Sequence, residues 1–285
     1  MTIPTASDPA IEIVHRLDAA ARRHTTPCGD GVLHWRVWGS GQPLVFFHGG
    51  FGSWMHWIRN IEPMAERYRV ICVDLPGLGE SDYPPEPVTP QSLGQILADG
   101  LVQMLEPEER AHLVGFSFGG LCSGQVCALL GERIKSLTLV GASGLGLQRK
   151  PLELIRRSDD MTPEQVEQAL RHNAMALMLY REDSLDELGF YIHITNDANA
   201  RLRSRRHSLG DSLRKVLPDV SARLNGIWGE FDITAVGYMQ ERIDLLTELH
   251  PETDFRLIPG SGHWVQYEDH ELFNQTLCDL LGKCA

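Results

Sequence analysis

The sequence predicts an α/β fold with a mostly parallel, doubly wound sheet of about eight strands and an inserted helical cap. Three observations support this prediction. Short runs rich in Val, Ile and Leu alternate with stretches of helical periodicity, as in parallel strands that helices cover on both faces. Residues 144–219 interrupt this alternation, because they contain no strand-like run and are too long for a bare loop. Ser117 directly follows one apolar run and has glycines two residues before and after it.

The first elements form an N-terminal extension, residues 1–24, and a hairpin. Asp8 followed by proline is typical of a helix start, with an apolar face toward this chain or another subunit. Segments 24–26 and 34–38 predict a hairpin that turns at residues 29–31. Later strands are predicted at 44–47, 69–73, 111–115, 136–141, 224–228 and 255–258, and helices at 57–67, 91–105 and 236–249.

The interval without strands predicts a helical insertion, residues 144–219, which we call the cap segment. It divides the core into residues 1–143 and 220–285. Thr162 with Pro and Gln after it is typical of a capping box and predicts a helix start. Four apolar side chains follow this helix start. We expect them either to form the wall of a substrate pocket or simply to pack in the interior. They are Met175, Met178, Leu179 and Tyr180.

The stretch around Ser117 indicates nucleophilic catalysis. A sharp turn from strand to helix exposes a serine, and the glycines at 115 and 119 relieve the crowding there. A serine hydroxyl needs a general base, which we assign to His263 on a loop after a strand. Asp232, after another strand, would orient the imidazole, and Glu230 competes with it for this role.

Acyl transfer also needs two backbone N–H groups that face the developing oxyanion. We expect these from Phe118, just after the serine, and from Gly50, at the end of a His-Gly-Gly sequence. His48 in that sequence is expected to brace the loop. No metal site is predicted, since His48 and His56 have no third ligand at a recognisable spacing.

Residues 25–284 resemble the α/β-hydrolase superfamily. The motifs that carry this resemblance occur in the expected order at 48–50, 74–81, 115–119, 228–232 and 262–263. The tail 262–268 is also similar to that of the meta-cleavage-product hydrolases, which break a C–C bond in ring-fission products of aromatic catabolism. Members of that subfamily tend to carry Asn before the nucleophile and a longer glycine-proline loop, where this chain has Phe116 and residues 49–53. Besides Phe116, we expect Phe51 and Trp264 to bind substrate.

The cap segment contains a basic cluster in a chain of net charge −12. Arg201 and Arg205 are four residues apart and would share a helix face. The arginines of this cluster bind a substrate carboxylate, as similar hydrolases do with a cap arginine, or form surface salt bridges. The cluster consists of Arg201, Arg203, Arg205 and Arg206.

Composition limits the partners. The acidic net charge argues against nucleic acid, and no apolar run is long enough to span a membrane. The start lacks the pattern of a secretory signal, so a cytoplasmic location is expected. No cofactor is expected, because the chain has no dinucleotide-binding or Walker sequence. The expected partner is a small-molecule substrate, and assembly into a homo-oligomer is left open.

These patterns together predict a serine hydrolase. Carboxylic esters are the first expected substrates, because the serine turn and the triad suffice for them. The alternative is C–C hydrolysis of a dienoate ring-fission product, which the tail and the cap arginines favour. A third hypothesis is a small-molecule-binding protein that has the same fold without activity.

Overall fold

The computed structural model describes residues 9–282. The strands of its single sheet are β1 (Arg22–Cys28), β2 (Gly31–Trp38), β3 (Pro43–Phe47), β4 (Arg69–Val73), β5 (Ala111–Phe116), β6 (Ile134–Val140), β7 (Arg223–Gly229) and β8 (Asp254–Ile258). Among the described residues, their order is β1-β2-β4-β3-β5-β6-β7-β8. β2 is antiparallel to β1 and β4, and all other neighbours are parallel. The predicted mostly parallel sheet is therefore confirmed.

Helices connect the strands. They are α1 (Glu12–Ala20), α2 (Ile61–Ala65), α3 (Pro90–Met104), α4 (Phe118–Leu130), α5 (Pro163–Met178), α6 (Glu187–Asn199), α7 (Arg205–Ser208), α8 (Ser212–Val216), α9 (Met239–Leu249), α10 (Val265–Glu268) and α11 (His270–Gly282). Short 3-10 helices occur at Pro9–Ile11, Trp54–Trp57, Gly131–Arg133, Glu182–Ser184 and Leu217–Asp219. Among the helices formed by residues 9–282, none has both the length and the apolarity to cross a bilayer.

Both faces of the sheet are buried. In β3, Leu44 and Phe46 belong to one apolar cluster, whereas Val45 and Phe47 belong to the other. Helices α3, α4 and α9 contribute to the cluster of Val45, and α1 and α11 contribute to that of Leu44. Because successive side chains of a strand point to opposite faces, burial on both sides requires continuously apolar strands.

The helix predicted at 57–67 is broken. A 3-10 helix ends at Trp57, and α2 begins only at Ile61. Pro63 gives the physical reason, because a proline is tolerated in the first turn of a helix and clashes with the carbonyl four residues earlier when it lies deeper. An unbroken helix from residue 57 would place Pro63 too deep.

The N-terminal helix packs against its own chain. Asp8, its expected N-cap, lies outside the described residues. Ile11, Val14 and Leu17 are buried in the same cluster as Trp38, whose indole N–H donates to the carbonyl of Leu17 at 2.8 Å. The helix ends at residue 20, because residues 22–24 belong to β1 rather than to a helical extension.

Between β6 and β7, the cap segment contains α5 to α8 and no strand. The capping box is confirmed, since Thr162 accepts from the backbone of Gln165 and the Gln165 side chain accepts from that of Thr162. Near the end of the segment, Leu213 and Leu217 join the cluster of the sheet face that α4 covers. The boundaries at 144 and 219 stay predictions.

The packing of α1 predicts a stability effect. We expect Leu17→Ala to lower the free energy of unfolding by about 2–5 kcal/mol, because it leaves a cavity in a buried cluster. Urea unfolding measures this change. The exposed Glu12 on the same helix gives the control, and Glu12→Gln should change stability by less than about 0.5 kcal/mol. Equal effects of the two variants would contradict packing of α1 on the core.

A buried histidine predicts a pH effect. Burial lowers the pKa of His112 from 6.5 to about 4, and its Nδ1 lies 2.7 Å from Ser136 Oγ. Below pH 6.5 the unfolded chain binds a proton that the folded protein does not, so stability falls as the pH falls toward 4. We expect His112→Gln to reduce that slope by about 1.4 kcal/mol per pH unit. Urea unfolding across this range measures the slope, and an unchanged slope would refute the assignment.

Candidate active site

Ser117 lies in the sharp turn between β5 and α4. Its φ is 51°, in the left-handed region that residues with a side chain rarely adopt. Its N–H donates to the carbonyl of Val140 at 2.8 Å, and its carbonyl accepts from the N–H of Ser143 at 3.0 Å. A Cβ at Gly119 would lie 2.3 Å from the carbonyl oxygen of Phe47, so only glycine fits there. The tight packing of helix on sheet thus holds the strained serine in place.

The structure brings the three residues of the expected triad together. His263 Nε2 lies 3.0 Å from Ser117 Oγ, and His263 Nδ1 lies 2.8 Å from Asp232 Oδ2. Asp232 is fully buried, His263 is 4% exposed and Ser117 is half-buried. Both distances are those of hydrogen bonds, so the imidazole can accept the serine proton while the carboxylate holds its other nitrogen.

Asp232, and not Glu230, is the carboxylate that contacts the imidazole. The backbone N–H and the hydroxyl of Thr234 donate to Asp232 Oδ1 at 2.8 and 2.7 Å. Burial raises the pKa of Asp232, but His263 and the two bonds from Thr234 outweigh burial and lower this pKa below its ordinary value. Glu230 is exposed and accepts from the N–H of Gly260 at 3.0 Å. Asp232 therefore stays ionised beside the imidazole.

Sequence reasoning missed Glu268, which fixes the histidine loop. Its buried carboxylate accepts from the N–H groups of Gly262 at 2.6 Å, Arg181 at 2.7 Å and Tyr180 at 3.0 Å. Gly262 precedes His263, and the other two residues follow α5 in the cap segment. Glu268 stands in the tail that resembles the meta-cleavage-product hydrolases, but its bonds link segments that the sequence does not pair.

The His-Gly-Gly loop is held by two histidine rings. His48 Nδ1 lies 2.7 Å from the carbonyl of Gly49, and its Nε2 accepts from the N–H of Leu75 at 2.9 Å. The N–H of Gly49 donates to Nδ1 of His56 at 3.2 Å. This bond engages the N–H of Gly49 and leaves that of Gly50 as the candidate donor of the loop. The ring of His48 thus connects the loop to Leu75, as expected for a residue that braces it.

Phe118 and Gly50 lie side by side. A Cβ at Gly50 would be 3.6 Å from the Cβ of Phe118. Phe118 is the first residue of α4, and the first N–H groups of a helix have no partner within the helix. Phe118 thus follows Ser117 directly and lies beside Gly50, and the role of the two residues as oxyanion donors stays a prediction.

His48 and His56 are neutral at physiological pH. Burial lowers the pKa of both rings, that of His56 most strongly, and nearby His48, His193 and His263 lower the pKa of His56 further. A neutral ring at 56 places no standing positive charge near His263.

The three residues expected to bind substrate have different surroundings. Phe116 and Trp264 are each 1% exposed and offer almost no surface to a ligand. The ring of Phe116 packs 4.9 Å from that of His263, and the indole of Trp264 donates to the carbonyl of His56 at 2.9 Å. Phe51, in contrast, is 40% exposed on the loop after Gly50. Substrate contact by the three residues stays a prediction.

The prediction that Arg201 and Arg205 share a helix face is wrong. Arg201 lies in the loop between α6 and α7, because α6 ends at residue 199. Its guanidinium donates to the carbonyls of Gly79 and Ser81 rather than to an acidic residue. It thereby links the cap segment to the loop after β4.

The other arginines of the cluster are exposed. Arg206 donates to the ring of His207 at 3.0 Å and to the carbonyl of Val88 at 3.5 Å. Arg205 begins α7, and Arg203 lies in the loop before it. A carboxylate-binding role for any of them stays a prediction. Outside this cluster, burial lowers the pKa of the Arg149 guanidinium, and the charge of Asp232 partly opposes this shift.

The comparisons with known proteins settle the family. A model of the alpha/beta hydrolase fold matches residues 42–270. The chain belongs to the α/β-hydrolase family. It is therefore an enzyme of the hydrolase class, and the resemblance seen in its motifs is confirmed.

Among the relatives of this hydrolase is a 2-hydroxy-6-oxononadienedioate/2-hydroxy-6-oxononatrienedioate hydrolase of Paraburkholderia phymatum, 28% identical over 95% of this chain and 99% of that protein. A 2-hydroxy-6-oxo-6-phenylhexa-2,4-dienoate hydrolase of Burkholderia cepacia is 27% identical over 87% of this chain and 91% of its own length. A solved structure from Burkholderia cenocepacia, provisionally assigned as an aryl esterase, has a TM-score of 0.71 and 25% identity, covering 92% of this chain and 99% of that one.

The carboxylate assignment predicts a large kinetic difference. We expect Asp232→Asn to slow the reaction of the Ser117 hydroxyl by about 10⁴-fold, because an amide holds the imidazole in the wrong tautomer. The rate of labelling of Ser117 by a fluorophosphonate measures the loss. Glu230→Gln is the matched control and should label at nearly the wild-type rate. The reverse result for the two variants would assign the acid to Glu230.

Proposed function

We propose that this hydrolase cleaves a C–C bond next to the ketone of a 2-hydroxy-6-oxo-dienoate, through an acyl-enzyme on Ser117. The observation that carries the proposal is the agreement with relatives along nearly the whole chain. The first two relatives, over 95% and 87% of this chain, are hydrolases of 2-hydroxy-6-oxononadienedioate or its trienedioate analogue. The relatives thus favour the second of the two sequence-based expectations over simple esters.

The site supports the first half of this reaction. Ser117 Oγ bonds to the ketone carbon while its proton passes to His263 Nε2, 3.0 Å away. The carbonyl oxygen becomes negative, and the N–H groups of Gly50 and Phe118 stabilise it. The imidazolium is stabilised in turn by the buried carboxylate of Asp232.

The second half breaks the C–C bond and releases the acid. The electron pair of that bond moves to the leaving carbon, which takes the proton from His263 Nε2. A bare carbanion leaves poorly, and a dienoate delocalises the negative charge toward its carboxyl end. Water then attacks the acyl-enzyme with His263 as base, so that one water is consumed and one carboxylic acid is formed.

Direct turnover tests the proposal. We expect the purified protein to hydrolyse a 2-hydroxy-6-oxo-6-phenyl-dienoate at least about tenfold more efficiently than a short nitrophenyl ester, since remote substrate contacts contribute to the transition state. The loss of dienoate absorbance and the release of nitrophenolate give the two kcat/KM values. Ser117→Ala is the control and should abolish both activities, because it removes the nucleophile.

Ester hydrolysis is the second candidate, and Phe116 is the observation that favours it. In the subfamily that this tail resembles, a polar asparagine tends to stand there, whereas Phe116 is apolar and packs beside His263. A solved structure that is 25% identical is also assigned provisionally to an aryl esterase. Faster turnover of the nitrophenyl ester than of the dienoate would establish this candidate and overturn the first.

A further inference from the structure

Ser204 of the cap segment lies directly over the loop of Gly50. A Cβ at Gly50 would lie 2.2 Å from Ser204 Oγ and 3.6 Å from the Cβ of Phe118. A Cβ at the preceding Gly49 would lie 3.4 Å from the Cβ of Ser117. The hydroxyl of Ser204 therefore lies against Gly50, in the loop whose residues also neighbour Phe118 and Ser117.

Ser204 is a nearly buried residue whose hydroxyl has no partner among the described residues. Ser204 is 3% exposed. It precedes α7 without capping it, and within residues 9–282 its Oγ has no hydrogen-bond partner. Ser204 Oγ is not one of the unpaired polar atoms that are sealed from solvent, so it keeps some accessible surface. An accessible hydroxyl without a protein partner is free to donate a hydrogen bond to a ligand.

The backbone around Ser204 is held in place from two sides. The carbonyl of Ser208, at the end of α7, accepts from the N–H of Gly144 at 3.2 Å and from the guanidinium of Arg149 at 2.8 Å. On the other side, the backbone N–H of Arg201 donates to the carbonyl of Gly77 at 3.0 Å. These bonds fix the position of the hydroxyl before any substrate binds.

The ring of Phe118 is also covered by α7. The ring of His207 stacks on it with the centroids 6.3 Å apart. Ser204, just before α7, contacts Gly50, and His207 within α7 contacts Phe118. Both residues that we expect to donate N–H groups are therefore contacted by this part of the cap segment.

We propose that Ser204 is a third oxyanion donor, whose O–H donates a hydrogen bond to the oxygen that becomes negative when Ser117 attacks. A donor fixed in advance stabilises the charged transition state more than the neutral substrate. Ser204 keeps its own proton throughout, so no atom is transferred. The inference rests on the serine mechanism proposed above and holds for an ester as well as for a ketone.

Two substitutions separate donation from space filling. Ser204→Ala removes the hydroxyl, whereas Ser204→Cys keeps a side chain of similar size that is only a weak donor. If Ser204 merely filled space over Gly50, Ser204→Cys would retain full activity. The matched control is Leu209→Ala, because Leu209 follows α7 and is 53% exposed.

The experiment measures two reactions of each variant. One is turnover of a short nitrophenyl ester, and the other is the rate constant for labelling of Ser117 by a fluorophosphonate. We expect both Ser204 variants to lose about 100-fold in kcat and in labelling rate, with KM within about threefold of wild type, since an oxyanion donor acts in the transition state. Leu209→Ala should remain at the wild-type values.

Each outcome decides the proposal. Wild-type rates in Ser204→Cys overturn it, as does a loss confined to KM. Thermal unfolding identifies a variant that fails to fold, and the other substitution then carries the test. If the dienoate is not cleaved but labelling still depends on Ser204, the C–C function fails and the third donor stands. If wild-type Ser117 resists labelling, the serine mechanism and the third donor fail together.

Discussion

The strained backbone at Ser117 is the constraint on which the site depends. A positive φ at a residue with a side chain is unfavourable by about 1–3 kcal/mol, and it persists only where the surroundings leave no alternative. The surroundings here are the bonds to Val140 and Ser143 and the close approach of Gly119 to β3. Relaxation of this turn would move the Ser117 hydroxyl away from His263. It would also shift the N–H of Phe118, the first residue of α4.

The sequence predicted the elements whose signals are local. The buried strands are continuous apolar runs, and the observed β4 coincides with the predicted residues 69–73. The capping box of α5 depends on residues three apart, and the glycines around Ser117 are adjacent to it. The geometry of the triad was also accessible, because the C-terminal ends of parallel strands meet at one edge of the sheet, and Ser117, Asp232 and His263 all follow such ends.

The features that the sequence could not predict depend on contacts between distant segments. The helix face expected for Arg201 failed, because tertiary bonds to the loop after β4 replaced helical ones. Nothing near Glu268 in the sequence indicates that its carboxylate binds N–H groups about 90 residues earlier. Ser204 carries no signal at all, since its position over Gly50 follows from how the cap segment returns to the core.

The anchorage of Glu268 ties the cap segment to the loop of His263. Lifting the cap segment at Tyr180 and Arg181 would strip a buried carboxylate of two of its three N–H partners, and uncompensated buried charge is strongly unfavourable. It would also disturb the bond between Glu268 and Gly262 and hence the position of His263, which follows Gly262. The stretch 147–162 carries no regular element and leads into the same segment from its other end. Arg149 in this stretch binds the carbonyl of Ser208, and the backbone of Ile155 bonds to the side chain of Asn173. This stretch is therefore tied to α5 and α7, and the link at Glu268 is the one whose release would expose an uncompensated charge.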